Sequence, residues 1–349
     1  MSAFNKPLLR GAALTVLAAA STAAYAQSSV TLFGIVDLGV RQVKNGDDSV
    51  SSVSSNGSNS SRLGVRGVED LGGGLSAGFW LETGLNPDTG TTADSSRFWN
   101  RRSTVSLSGG FGEVRLGRDF TPTFTGYADY DAFGTNGVAA ADKFSSALGS
   151  GADTRTRADN LVSYFTPAGL GGFYGQASVA AGEGTDGKKY YGGRAGYRTG
   201  ALDVSASAGR TEVAPNAAGD DEYDFYNLGA AYDFGIVKLL GYYSQMRYAD
   251  LKLGVANIGA HVPLGSYGTL RMSYADADAS GQAAGGGSTD GNDASQLALG
   301  YLYDFSKRTQ FYGTVARVDN DGAAAFAVGG TAVAGDTSTG YEIGLRHRF

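Results

Sequence analysis

Residues 341–349 read YEIGLRHRF, and their alternation decides the fold. Tyr341, Ile343, Leu345, His347 and Phe349 fall on one side of a two-residue repeat, with Glu342, Gly344, Arg346 and Arg348 on the other. Successive strand side chains point to opposite faces of a sheet. A strand that is greasy and aromatic on one face and charged on the other suits a barrel wall between lipid and water.

The opposite end of the chain agrees. Lys6 and Arg10 precede an apolar, Ala-rich run from about Gly11 to Ala24, and Ala24-Tyr25-Ala26 has the small-x-small form of a cleavage site. This predicts a secretory signal peptide over 1–26 and a single mature domain over 27–349. The run is too short and soft for a spanning helix, which needs about 20 strongly apolar residues.

No linker or composition shift marks a second domain, so one large closed sheet is expected. Pro87, Pro122, Pro167, Pro215 and Pro263 all fall in expected loops or turns, sparing the strands a residue that cannot donate to a ladder. The 55 glycines, 20 tyrosines and 17 phenylalanines are odd for a soluble core but natural for half-exposed strands with aromatic girdles. The absence of cysteine excludes disulfides, thiolate metal sites and Cys nucleophiles. Loss of Lys6 and Arg10 with the signal takes the formal charge from −6 to about −8, which argues against nucleic acid as a partner.

Apolar-out, polar-in segments of about ten residues recur along the chain, the length of a tilted spanning strand. In VTLFGIVDLGV, Val30, Leu32, Val36, Leu38 and Val40 oppose Thr31, Asp37 and Arg41. LALGYLYDF places Leu297, Leu299, Tyr301, Tyr303 and Phe305 outward, and TLRMSYA sets Leu270, Met272 and Tyr274 against Arg271 and Ser273. Short glycine turns alternate with long polar segments. The pattern predicts an all-β, 16-stranded antiparallel transmembrane barrel, with strands near 29–42, 61–70, 75–85, 100–109, 112–118, 155–167, 172–181, 190–199, 201–212, 222–233, 236–247, 252–263, 268–278, 293–305, 309–319 and 338–349. Sixteen strands leave an aqueous lumen, whereas about eight are filled by side chains. Two segments, IVKLLGYYSQM (236–246) and TQFYGTVARV (309–318), are apolar on both faces, which suggests subunit contacts or a displaced register.

Five stretches carry a family resemblance: SSVTLFGIVDLGV at the start, SRLGVRGVEDLGGGLSAGFWLETG from Ser61, NRRSTVSLSGGFGEVRLGRDFTP from Asn100, RADNLVSYFTPAGLGGFYG from Arg157, and the closing GLRHRF. Together they resemble the Gram-negative general porins, most closely the beta-proteobacterial branch. The resemblance implies a homotrimeric outer-membrane barrel whose third long loop, roughly Asp119 to Gly151, folds inward to narrow the lumen. It also implies that Tyr341 and Phe349 in the closing strand are read by the barrel-assembly machinery, and that the second long loop (Asn86 to Trp99) latches onto a neighbouring subunit. Outer-membrane lipids and lipopolysaccharide, ions and small hydrophilic solutes complete the expected partners.

In such porins, wall arginines face loop carboxylates across the passage. By motif, Arg62 of SRLG, Arg101 of NRR and Arg157 of RADN take the wall positions. Parity supports Arg62, while Val105 and Leu107 share the parity of Arg101 and favour Arg102, so both remain candidates. On the loop the resemblance points to Asp131 in YDAFG, with Asp129 next. The proline-glutamate-phenylalanine-glycine motif often found there is absent, which leaves a second loop carboxylate unassigned.

The expected function is passive diffusion of ions and small hydrophilic solutes, without a cofactor, and with an inclination to anions at the constriction. A substrate-selective channel is the alternative, with Tyr127, Tyr130 and Phe133 forming a greasy track through the loop. An enzyme needs a nucleophile and a placed base, and His261 and His347 show no ligand or catalytic spacing. An extracellular adhesin fits the aromatic terminus poorly. GGGSTDGND from Gly285 reads as an extracellular loop, since a single imperfect copy without a closing glutamate makes a weak calcium repeat.

Overall fold

The computed structural model describes residues 29–283 and 286–349, so the expected signal peptide and the mature start at Gln27 lie outside the described residues. The chain runs up and down as β1 (Ser29–Asn45), β2 in two segments (Asp48–Ser55 and Arg62–Gly72), β3 (Leu75–Asn86), β4 (Arg102–Gly109), β5 (Gly112–Phe120), β6 (Arg157–Phe165), β7 (Phe173–Ala180) and β8 (Lys189–Thr199). It continues as β9 (Leu202–Glu212), β10 (Glu222–Asp233), β11 (Lys238–Tyr248), β12 (Leu251–Leu264), β13 (Gly268–Ser280), β14 (Ala294–Asp304), β15 (Thr309–Asn320) and β16 (Ser338–Arg348). Each strand pairs antiparallel with its sequence neighbours, and β1 pairs with β16 from Ile35↔Arg348 to Asn45↔Ser338. The sheet thus closes on itself and has no free edge. The sixteen-strand expectation holds, and the side-chain alternation is as read. Val30, Leu32, Leu297, Leu299, Tyr341, Ile343 and Leu345 are exposed on the outer wall, while Asp37, Arg271 and Glu342 are buried inside.

One boundary differs. The second strand starts at Asp48 and not near 61: both of its segments pair with β1, Asp48–Ser55 against the upper half and Arg62–Val68 against the lower half. Residues 56–61 between them leave the ladder and turn into the lumen. Serine-rich DSVSSVSS lacks the strong apolar alternation that marks a lipid-facing strand, which hid the upper segment from sequence reading.

The third long loop occupies residues 121–156, between β5 and β6. It opens with α1 (Pro122–Ala128), whose start is set by Thr121 as N-cap and Pro122 in the first turn. The loop then lies flat along the inside of the barrel. Tyr127, Tyr130, Phe133 and Phe144 from the loop and Phe225, Tyr242, Met246 and Val255 from β10–β12 form the core of the molecule. This explains the two-faced segments. In β11, Leu240, Tyr242 and Met246 point inward and are buried, as are Tyr312, Ala316 and Val318 in β15. Their inner faces are apolar because the loop or its supports cover them, so neither a subunit contact nor a register error is needed.

Every second strand from β10 to β16 gives the loop a fastening. Asn227 Nδ2 on β10 donates to Thr123 O (2.9 Å), and His261 Nε2 on β12 lies 2.7 Å from Ala132 O. Gln296 Nε2 on β14 donates to Ala139 O (2.8 Å), and Glu342 Oε1 on β16 accepts from Val138 N (3.1 Å). Space matters equally. A Cβ on Gly229 would sit 2.0 Å from the Tyr130 ring, and one on Gly300 would sit 2.8 Å from the Phe133 ring. Those bare backbone positions let the loop rings lie against the wall.

Candidate functional site

Between the loop and the β1–β6 wall, a cavity of about 520 Å³ is lined by Arg62, Arg101, Arg157, Arg271 and Arg346. Each arginine is placed by a separate local cause. Asp37, fully buried on β1, accepts the N–H groups of Gly57 (3.2 Å), Ser58 (2.9 Å) and Asn59 (2.7 Å) and the Tyr312 hydroxyl (2.7 Å). That carboxylate holds residues 56–61 inside the barrel. The inward turn in turn orients Arg62, whose Nε donates to Ser60 O (2.9 Å) and whose Nη2 donates to Asn59 Oδ1.

Glu82 on β3 sits behind this wall. It takes Arg101 Nε at 2.6 Å, Arg62 Nη1 at 3.5 Å and the Trp80 indole N–H at 3.2 Å. Arg157 donates from Nε to Arg101 O (2.9 Å), and its guanidinium carbon lies 4.1 Å from the centre of the Phe120 ring. Across the cavity, Arg271 lies 4.6 Å from the centre of the Phe133 ring, and Arg346 Nη1 reaches Ser58 Oγ at 3.4 Å. Among the described residues, Arg157, Arg271 and Arg346 have no carboxylate within 4.0 Å. Arg271 Nε and Nη2 and Arg346 Nε are buried without a hydrogen-bond partner among the described residues. Uncompensated buried charge is costly, so this wall holds a strong positive field.

The loop carboxylates divide by environment. Asp131 is buried and accepts three backbone N–H groups, from Phe133 (2.8 Å), Thr135 (3.3 Å) and Ala141 (3.3 Å), so it shapes the loop. Burial nevertheless pushes its carboxyl above the usual range. Asp129 is the exposed one, and it meets Arg194 Nη1 on β8 at 2.6 Å. Asp142 also lines the cavity; burial first, and the nearby Asp131 second, push it up to about 6. Burial brings Lys143 down to about 8, and its Nζ donates to Val138 O (3.1 Å), Ala140 O and Gln296 Oε1.

Arg102 also faces the lumen, as parity required, but lies below this cavity, 3.5 Å from Asp119 and 4.4 Å over the Trp80 ring. Arg101 reaches the cavity because it precedes the regular part of β4 and is released from strand parity. Tyr127, Tyr130 and Phe133 are almost fully buried against the wall, so they do not form an open greasy track. Tyr341 is exposed on the outer wall, and Phe349 N–H and C=O pair with Gly34 at 3.1 Å each.

A family model described as Gram-negative porin matches residues 13–323. The chain belongs to the Gram-negative porins. Outer membrane porin protein 32 of Delftia acidovorans is 40% identical to this porin over 97% of the chain and 98% of its own length. An outer membrane porin protein of Bordetella pertussis is 30% identical over 97% of the chain and 98% of its own length. Among solved structures, the anion-selective porin from Comamonas acidovorans superposes with a TM-score of 0.82 at 38% identity, covering 92% of this porin and 100% of that chain. OmpT of Vibrio cholerae in its trimer form has a TM-score of 0.67 at 18% identity, covering 92% and 99%, and shares the fold. This porin is therefore an outer-membrane β-barrel, of the beta-proteobacterial kind its sequence resembles.

Sequence reading missed Arg194, Arg271 and Arg346. The last two were open to detection: parity places Arg271 opposite Leu270 and Met272, and Arg346 opposite Leu345, on the lumen face. Nothing local links them to Arg62 some 200 residues or more away; closure of the barrel does.

Proposed function

We propose that this porin is a passive diffusion channel that favours anions, narrowed where the third loop faces the arginine wall. The observation that carries the reading is the charge arrangement of one cavity. Five guanidinium groups line it, while Asp131 is occupied by backbone donors and Asp129 by Arg194. In a confined, poorly screened passage such charges act more strongly than at a surface. The likeness to the anion-selective porin from Comamonas acidovorans supports the sign. Arg62, Arg101 and Arg157 are the proposed wall charges, with Arg102 below them. Asp129 is the proposed loop charge, and Asp131 holds the loop's shape.

The working assembly is a homotrimer. Val40, Val50 and Val53 on β1 and β2 present an exposed apolar surface, and the second loop offers exposed Phe98 stacked edge-on against Trp99 at 4.7 Å. Tyr341 and Phe349 serve as the assembly signal, and ions and small hydrophilic solutes are the cargo.

Planar-bilayer recording of the purified protein under a tenfold KCl gradient tests both points. A reversal potential of the anion-selective sign, with closures in thirds, supports an anion-favouring trimer of pores. A cation-selective sign refutes the anion preference, and no conductance from inserted protein refutes the channel reading.

A further inference from the structure

A second cavity, of about 440 Å³, opens on the lumen between the arginine wall and the short-turn rim, and apart from Arg102 the pore reading gives its lining no role. Its floor is the small polar surface of Thr31, Ser76, Ser106 and Ser108, and its walls carry Arg66, Arg102 and Trp80. Arg66 pairs in register with Trp80, four residues further along β2 than Arg62, hence about 13 Å closer to the short-turn rim along the strand. In outer-membrane barrels that rim faces the periplasm.

Two features set this place apart. First, its cations are organised on aromatic rings: the Arg66 guanidinium carbon lies 5.0 Å from the centre of the Trp80 ring and 5.5 Å from that of Phe33, and Arg102 lies 4.4 Å from that of Trp80. Phe33 and Trp80 themselves meet edge-on at 5.2 Å. Second, its charge is only partly neutralised. Arg115 is matched by Glu113 at 3.0 Å and Asp119 at 2.6 Å, and Arg102 reaches only the same Asp119, at 3.5 Å. Arg66 is exposed and, among the described residues, has no carboxylate within 4.0 Å.

We propose that this shelf is a binding station for small aromatic carboxylates, distinct from the constriction. The carboxylate of such a ligand takes the free N–H groups of Arg66 and Arg102, a charge-assisted, fork-like geometry that guanidinium suits. The ring lies against the Trp80 indole, which lines the cavity and is braced edge-on by Phe33. An inorganic anion gains only the first interaction, and an aliphatic carboxylate of equal charge and bulk gains no ring stacking. The site thus selects by π surface, a selection the pore's charge field cannot make.

The test compares sodium benzoate with sodium cyclohexanecarboxylate, which match in charge and approximate size, as blockers of KCl current through the whole protein in planar bilayers, added to both sides. Ring stacking adds about 0.5–1.5 kcal/mol, so benzoate should half-block at a concentration about two- to thirteenfold lower. Trp80→Leu should bring the two blockers together, and Arg66→Gln should weaken both. Equal block by the two compounds in the unaltered protein, or a benzoate preference that survives Trp80→Leu, overturns the proposal. Should Trp80→Leu fail to fold, Trp99→Phe leaves Trp80 as the sole indole of the chain. Saturable quenching of its fluorescence by benzoate, lost on adding Arg66→Gln, then supports the shelf, and unsaturable quenching refutes it. The reversal potential in KCl alone, read in the same membranes, reports the anion preference separately, so either conclusion can fall without the other.

Discussion

Replacing Arg157 by Gln isolates the field of one wall charge. Arg101 is a poorer choice, because its loss strips buried Glu82 of its 2.6 Å partner and mixes a folding penalty into the result. Among the described residues, Arg157 leaves no carboxylate behind, and its only side-chain hydrogen bond is to the Arg101 carbonyl. An ion passing about 5 Å from the guanidinium in aqueous surroundings feels roughly 0.8 kcal/mol by Coulomb's law. Screening over a Debye length of about 10 Å at 0.1 M salt cuts this to about 0.5 kcal/mol. The sign is opposite for chloride and potassium, so the anion-to-cation permeability ratio should fall by about 1 kcal/mol, or roughly fivefold. The assay is the reversal potential of single trimers under a tenfold KCl gradient at 0.1 M mean salt, repeated at 1 M, where the difference should shrink. Arg210→Gln is the control: Arg210 is paired with Asp224 at 2.6 Å on the outer side of the wall and should leave the ratio unchanged. A shift below twofold for Arg157→Gln, or an equal shift for Arg210→Gln, refutes the idea that lumen arginines set selectivity.

Removing the Asp37 carboxylate (Asp37→Ala) strips acceptors from three backbone N–H groups and the Tyr312 hydroxyl; it should cost about 2–4 kcal/mol and lower the temperature at which the barrel loses its compact gel mobility. Gly229→Ala places a methyl group 2.0 Å from the Tyr130 ring, so the loop should lift from the wall at a cost of about 1–3 kcal/mol, and single-pore conductance should rise. Anion preference should fall as pH rises. Below about 6 Asp142 is neutral; above it the cavity gains a negative charge, and above about 8 Lys143 loses its positive one. Asp142→Asn should erase the step between pH 5 and 7 in the reversal potential and move the Lys143 step to lower pH, because the Asp142 charge is the main factor that raises Lys143 against burial. Deleting Pro87 to Ser96 should weaken the trimer while each pore still conducts; unchanged trimer migration without heating counts against the second-loop latch.

The sequence by itself determined the barrel. A two-residue alternation records which side chains meet lipid and which meet water, and that record is local, so it survives without any contact map. Strand number and the parity of Arg62, Arg102, Arg271 and Arg346 follow from it. The positions that departed from clean alternation were those where a second packing partner intervened. Tyr242 and Met246 looked misplaced because the inward loop covers the inner wall there, and DSVSSVSS looked like a loop because its pairing with β1 replaces an apolar signal. Only the tertiary structure decided which charges act together. Motif pointed to Asp131, but it lies buried among backbone donors; Asp129, two residues earlier, is exposed and reaches Arg194. Arg62 comes to face Arg271 and Arg346 only when β1 pairs with β16, because a closed sheet brings its two ends together and no local pattern encodes distance across a lumen.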